Sequence, residues 1–278
     1  MIELLARRRV GQEKNVVITF EDSTVKNICV NNWGGNVIPG EITTAEAAAV
    51  TTLSDKFNNN TSIIKFNELK YFIGLTTLCY SESGTSSIGA FYGCTNLAEV
   101  TIPAAPISNL SGVFRECSGL VDATVDFSPI TSNNIIINAP FRQGKVKKVI
   151  LPGASFSGNM QWGFQSRSNS SNASIETLEV DGTASFMGIT NWTSCFAFQI
   201  KLKDIKGIWT DLYQPIGFQN CKDLTKESLL VIINGLYDFI GNNSSTRRTL
   251  TLHATPYSLL TADDIAIATA KGWSVESV

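Results

Sequence analysis

Charge is scarce in this chain: Asp, Glu, Lys and Arg make up 17% of its 278 residues and leave a formal net charge of −2. So sparse and balanced a set carries no electrostatic footprint for a phosphate backbone or an anionic membrane, and nucleic acid is not an expected partner. There is one histidine, His253, and no two of the six cysteines form a C-x-x-C pair, so the usual zinc-ligand spacings are missing. No apolar run approaches the roughly 18 residues of a membrane helix, so no membrane insertion is expected. No G-x-x-x-x-G-K-[ST] phosphate loop occurs. Hydrolytic or acid-base catalysis needs a nucleophile beside a base, or two carboxylates in one pocket, and neither constellation is visible. His253 follows the alternating Leu250-x-Leu252 and reads as a surface or structural histidine. Asp263 and Asp264 open a helix, where capping and the helix dipole account for them. The sequence therefore points to no enzyme, no catalytic residue, no cofactor and no metal.

The polar surface comes instead from Ser, Thr and Asn, which crowd 58–62, 166–174 and 241–246. Such side chains hydrogen-bond well and repel little. Sequons such as Asn191-Trp192-Thr193 follow from that composition and imply no glycosylation. The N-terminal Met1-Ile-Glu-Leu-Leu-Ala-Arg-Arg-Arg9 places an acid and then three arginines where a signal peptide has a basic region followed by an apolar one. It is expected to begin an unexported chain, or one whose leader was removed.

The strongest positive feature is a spaced phrase that recurs: Phe91-x-x-Cys94-x-x-Leu97-x-x-Val100-x-Ile102, then Phe114-x-x-Cys117-x-x-Leu120-x-x-Ala123-x-Val125, 23 residues later. A fixed period of this length signals a repeat array in which each unit packs on its neighbours. Leu69-x-x-Phe72-x-x-Leu75 fits one period earlier, Phe196-x-x-Gln199-x-x-Leu202 and Phe218-x-x-Cys221-x-x-Leu224 fit later, and Val146-x-x-Val149-x-Leu151 and Ile175-x-x-Leu178-x-Val180 are half-copies. The phrase then starts near 69, 91, 114, 140, 169, 196 and 218. Val100-x-Ile102 is a short strand with both side chains inward, closed by Pro103. Stacking such strands gives a parallel sheet on one face, with the Phe and Cys positions filling the interior as small buried hydrophobes rather than as disulfides.

Before the repeats, Asp22 and Ser23 can cap a helix bearing Val25, Ile28 and Cys29, and Thr43-x-x-Glu46 is a capping box. After them, Leu229, Leu230, Ile233 and Leu236 have helical spacing up to Gly241, Leu250-x-Leu252 alternates, Thr261-x-x-Asp264 opens another helix, and Trp273-x-Val275 is a last strand. The expected fold is α/β and strand-rich: a right-handed leucine-rich-repeat solenoid with a parallel sheet on one face, a helical N-terminal cap and a helix-strand-helix-strand C-terminal cap through which the sheet continues. The expected division is 1–66, 67–224 and 225–278.

The phrase Ser87-Ile88-Gly89-Ala90-Phe91-x-x-Cys94-x-x-Leu97-x-x-Val100-x-Ile102-Pro103 resembles the BspA-like leucine-rich repeats of gut and oral bacteria. The stretch from Thr249 to Trp273 resembles a tail on gut Bacteroides proteins of this type, and the first nine residues resemble the start of proteins encoded by their phages or prophages. The resemblance implies a cell-surface or extracellular adhesin-like protein that binds host or environmental ligands, or a virion-associated one. In related proteins the stretch from Trp33 to Glu46 is similar to an EF-hand or dockerin loop. Here Gly35, Val37 and Pro39 stand where acidic ligands belong, so the loop is expected to be structural.

Recognition would fall on side chains pointing outward from the repeat strands. These are Glu99 and Thr101, Asp122 and Thr124, Lys147 and Lys148, Glu176 and Glu179, then Lys203, Asp204 and Lys206. They form a mixed-charge stripe that either binds a protein or glycan or merely keeps the sheet solvated. A second candidate is an insertion at 153–174 carrying Met160, Trp162 and Phe164, whose aromatics either stack on a ligand or fold back into the interior. The reading is of a non-enzymatic binding module for a protein or glycan, or of a structural component of a phage tail or surface assembly. Oligomer formation is left open.

Overall fold

The structure is a computed structural model that describes residues 15–166 and 174–278; the N-terminal nonapeptide and the repeat start near 169 lie outside the described residues. Asp22 opens helix α1 (Ser23–Trp33), accepting the amides of Thr24 and Val25 and burying Val25 and Cys29 beneath it. Its second carboxylate oxygen accepts the amides of Ile64 at 2.8 Å and Lys65 at 3.4 Å. One side chain thus caps a helix and fixes it to the first strand, β1 (Lys65–Phe66). Helix α2 (Thr44–Ala48) begins with the reciprocal Thr43–Glu46 capping box. The Glu46 carboxylate also accepts the amides of Asn36 and Val37 at 2.9 and 3.2 Å, so the residue aligned with a calcium ligand is occupied in pinning its own loop. Desolvation works against its charge, but these hydrogen bonds outweigh it and hold its pKa below the ordinary value.

Strands β2 (Cys79–Ser81) and β3 (Ile88–Gly89) form a short antiparallel pair, and β4 (Glu99–Val100) pairs in parallel with β1. The main sheet is parallel and curled. In chain order it contains β5 (Thr124–Asp126), β6 (Asn134–Ile136), β7 (Lys148–Pro152), β8 (Ser155–Asn159), β9 (Thr177–Asn191) and β10 (Asp204–Thr210), with spatial order β5-β7-β9-β8-β6 and β10 against β9. The 15-residue β9 makes the curl. Its first part pairs with β7 and its second with β8, and β10 follows it across both. The bend falls at Gly182 and Gly207, whose φ values are 90° and 87°. Only glycine fits at Gly207, because a Cβ there would meet the Val180 carbonyl oxygen at 2.2 Å.

Behind the sheet, the Phe that opens each phrase is buried and packed against the next, stacked on it everywhere but at the tilted Phe57–Phe91 pair. Phe57, Phe91, Phe114, Phe141, Phe164, Phe196 and Phe218 form one row with centroid separations of 4.6–5.7 Å. This row corrects the expected register at three places. It begins at Phe57, in Phe57-x-x-Asn60-x-x-Ile63-x-x-Phe66, and not at Leu69. Phe72 stands off the row, edge-on to Phe66 at 5.7 Å and to Trp33 at 5.9 Å. The copy expected from 140 opens at Phe141, and the place expected near 169 is taken by Phe164. The segment at 153–174 is also no mere insertion, since Ser155–Asn159 is a full strand with Phe156 inward.

After β11 (Ile216–Phe218), helix α3 (Lys226–Gly235) lies along the outer edge of β10. There the Ser228 hydroxyl donates to the Lys203 carbonyl at 2.9 Å and accepts the Ile205 amide at 2.8 Å. The helix ends at Gly235 rather than Gly241, because Leu236 turns extended to bridge Leu212. The chain closes with β12 (Arg248–Leu252), α4 (Ala254–Tyr257), α5 (Ala262–Ala270) and β13 (Trp273–Ser277). The main sheet does not continue into these strands. With α3 occupying its edge, β12 and β13 join β11 in a separate three-stranded parallel sheet, Phe218 aligned with Leu252 and Leu252 with Ser277.

Candidate functional site

The parallel register brings seven of the nine expected site residues together. Lys148 on β7 lies beside Thr124 and Thr177, Asp204 on β10 lies beside Thr177, and Glu179 on β9 lies between Ile150 and Lys206. Lys147 and Lys203 are exposed in the turns that lead into β7 and β10, and Glu176 immediately precedes β9. The outward charges pair across strands: Lys148 with Glu179 at 2.7 Å, Lys203 with Glu176 at 3.5 Å, and further along Lys65 with Glu99 at 3.0 Å and Glu21 at 3.5 Å. These pairs are solvent-accessible, so each contributes at most about 1 kcal/mol and leaves the charges available to a partner. Between β4 and β5 the row is interrupted by a cavity of about 470 Å³ lined by Asn67, Glu99, Val121, Asp122 and Thr124 among others.

Trp162 and Phe164 are elsewhere. Phe164 is 2% exposed and sandwiched between Phe141 and Phe196 at 5.7 and 5.6 Å, so it presents no surface to a ligand. Trp162 is half-buried at φ 60°, with the Arg142 guanidinium over its ring at 4.3 Å. Met160 is buried. The aromatics of this segment therefore pack.

All six cysteines are free, and all but the half-buried Cys79 are buried. The phrase cysteines share one interaction: Cys94 donates its S–H to the Phe57 carbonyl at 3.0 Å, Cys117 to the Phe91 carbonyl at 2.9 Å, and Cys221 to the Phe196 carbonyl at 4.0 Å. Gln199, which replaces the cysteine in its copy, donates its side-chain amide to the Phe164 carbonyl in the same way. Burial pushes the Cys94 thiol up to about 12, a chemistry of packing and not of nucleophilic attack. His253 caps α4, its Nδ1 accepting the Thr255 amide at 3.1 Å. Among the described residues no group of three or more His, Cys, Asp and Glu converges on a metal-sized site, and no helix is long and apolar enough to cross a membrane.

The sequence did not reveal a second outward face beyond the bend. There Asn134, Ser155, Ser185 and Thr210 stand in one line on β6, β8, β9 and β10, and Ile136, Met187 and Ile208 are 37, 43 and 59% exposed. The segments that build most of it, 127–141, 152–166 and 182–200, contain no charged residue. Those charge-free stretches, recurring between charged ones, were the available signal. Beside Ile208, a cavity of about 370 Å³ is lined by Gly207, Trp209, Glu227, Leu230, Val231 and Asn234.

Comparison with protein-family models, characterised proteins and solved structures returns no match for this chain.

Proposed function

We propose that the chain is a non-enzymatic binding module: a right-handed leucine-rich-repeat solenoid of the BspA-like type, capped by helices at its N-terminus and by the α3–β13 segment at its C-terminus, that recognises a protein or glycan through the charged face of its parallel sheet. The observation that carries the reading is the register that gathers Lys147, Lys148, Glu176, Glu179, Lys203, Asp204 and Lys206 on one face. Charges of both signs at strand spacing suit a polar ligand of defined pattern better than a polyanion. The row of seven phenylalanines supports the solenoid, since one ring per repeat is what stacked identical units would bury. The location fitting this role is a cell surface or a virion surface.

The reading is tested on an array of glycans and host proteins, comparing the wild type with the Lys147→Glu, Lys148→Glu, Glu179→Lys triple variant. Capture of a ligand by the wild type and its loss in the variant is the expected outcome; equal capture by both removes the charged face from consideration. A second reading, a structural component of a phage tail or surface assembly with the repeats as spacers, draws on the cross-strand ion pairs, which give Lys148 and Lys203 partners without any ligand.

A further inference from the structure

The outward surface of the curled sheet is divided by chemistry at the glycine bend. On one side β5, β7, the first part of β9 and the start of β10 each carry charge. On the other, β6, β8, the second part of β9 and the last residues of β10 carry none. The uncharged side is also the longer run. Thr52 bridges Thr77 and Asn109 bridges Ile136, which extends the same ladder beyond β6 toward the N-terminal region. Its hydroxyls lie flat, Thr76 donating to the Thr51 carbonyl at 3.2 Å, Ser108 to the Thr76 carbonyl at 3.2 Å, and Thr190 to the Gly158 carbonyl at 3.0 Å. The carboxylate at its margin, Asp211, is taken up by the hydroxyls of Ser185 at 2.7 Å and Thr210 at 3.0 Å. A water-facing sheet surface gains solubility from charge, and interface cores are where charge is depleted.

We propose that this uncharged face is the self-association surface of the protein, on which a second copy docks through a two-fold axis. Three observations choose a second copy over other occupants. An isologous contact sets a surface against itself, and an uncharged surface does so without desolvating any charge, whereas the charged side would have to bury its Lys148–Glu179 and Lys203–Glu176 pairs. The net charge of −2 opposes the approach of two copies only weakly. From β6 to β10 a glycan would find no aromatic platform, because Phe156, Phe186, Trp192 and Trp209 are all buried there. The size fits a modest dimer. Seven neighbouring chain segments at about 4.8 Å, presenting about four residues each, offer roughly 450 Å² per copy. The pair would then bury about 900 Å², the size of a weak, reversible contact. Ile208 lines a cavity with Trp209, Leu230 and Val231, in which Glu227 is the one charged residue; its apolar part adjoins the same surface.

The proposal goes beyond the binding role assigned to the charged face and is independent of it. Sedimentation equilibrium of the intact chain up to about 200 µM, a range that covers micromolar dissociation constants, is run on the wild type and on Met187→Lys, Ile208→Lys and Lys148→Glu, with melting temperatures to show that each is folded. The expected result is a reversible wild-type dimer whose dissociation constant rises tenfold or more in Met187→Lys and Ile208→Lys and is unchanged in Lys148→Glu. A wild type that stays monomeric overturns the proposal, as does a dimer that survives both uncharged-face variants or is lost in Lys148→Glu. A measurement on the wild type alone keeps the test decisive if a lysine variant does not fold. The Met187 methyl resonance should be broadened by a soluble nitroxide in dilute solution and shielded from it in concentrated solution. Equal broadening at both concentrations sinks the idea.

Discussion

Cys117 shows how the interior of this protein is held at the level of single side chains. Its thiol donates to the Phe91 carbonyl at 2.9 Å, in the position where Gln199 uses an amide for the equivalent carbonyl of Phe164. The recurring element is a side-chain donor beneath the Phe57, Phe91, Phe164 and Phe196 carbonyls; the first two and the last also accept the backbone amide three residues on, so the side chain supplies a second hydrogen bond to the same oxygen. Cys117→Ala removes this second donor and the sulfur volume, while the Cys94 amide still serves the Phe91 carbonyl at 3.1 Å, and should lower unfolding free energy by about 1–2 kcal/mol in a urea titration; a loss under about 0.5 kcal/mol would show that the thiol adds nothing to what the amide supplies. The same burial sets reactivity. Cys79 is held up to about 11 and Cys94 to about 12, desolvation being the first cause for each. A disulfide reagent at about pH 8 should therefore titrate no more than one thiol, that of half-buried Cys79, in the native protein and all six after unfolding. Prompt native reaction of two or more would contradict the packing described. Two residues past the row phenylalanine, Asn59, Gly93, Glu116, Gln143 and Phe198 share φ values of 54–71°. Gln143→Gly relieves a left-handed conformation that disfavours side chains and is expected to stabilise by about 0.5 kcal/mol, after the added flexibility of the unfolded chain is set against the gain.

Helix α5 is tied to α3 at both ends, by the Asp264 carboxylate at its start and by Lys271 at its close, whose ammonium donates to the Ile233 and Asn234 carbonyls. Asp264 accepts the Thr261 amide and hydroxyl at 2.8 Å each and pairs with Lys226 of α3 at 2.8 Å. The Lys226 hydrogen bond first, and then those from Thr261, bring its pKa from the ordinary 3.8 down to about 2. A depressed carboxylate contributes its stabilisation in full above its unfolded-state value and loses it as pH falls through the folded value. The wild type should therefore lose part of its margin over Asp264→Asn as the pH drops from about 5 to about 2, read as converging melting temperatures; parallel curves would mean that the contact does not form. This cap was legible in the sequence, as were Asp22 and the Thr43–Glu46 box, because capping depends on residues three positions apart. Elements that depend on distant chain were not. Ser155-Phe156-Ser157 alternates as a strand should, yet Gly153 and Gly158 beside it read as loop, and only pairing with β6 and β9 makes it a strand. The continuous β9 serves two faces, so no single period describes it. Of the candidate site, the charged positions were readable from alternation within each phrase. The face beyond the bend was not, since its place is set by Gly182 and Gly207, which act on the sheet as a whole.

At the scale of the whole molecule, the row of phenylalanines implies that stability is transmitted between neighbours along one direction. Phe91 and Phe114 lie 5.4 Å apart and nearly parallel at 9°, and each ring of the row touches the next from Phe57 to Phe218. Truncating a central ring costs the burial of that ring and also removes support from two others. Phe114→Ala is accordingly expected to destabilise by about 4 kcal/mol, too much for a double variant to be measured reliably. Leucine keeps most of the volume while removing the aromatic faces, and it permits a thermodynamic cycle. Phe91→Leu combined with Phe114→Leu should show a coupling energy of about 0.5–1.5 kcal/mol, the value of an aromatic pair beyond its area. Phe91→Leu combined with Phe196→Leu should be additive within about 0.5 kcal/mol, because Phe114, Phe141 and Phe164 separate those rings. Coupling that decays from neighbour to neighbour is the energetic signature of stacked repeats. Equal coupling for near and distant pairs, measured by chemical denaturation at one temperature, would instead describe a single undivided core and would remove the physical basis for reading the chain as an array.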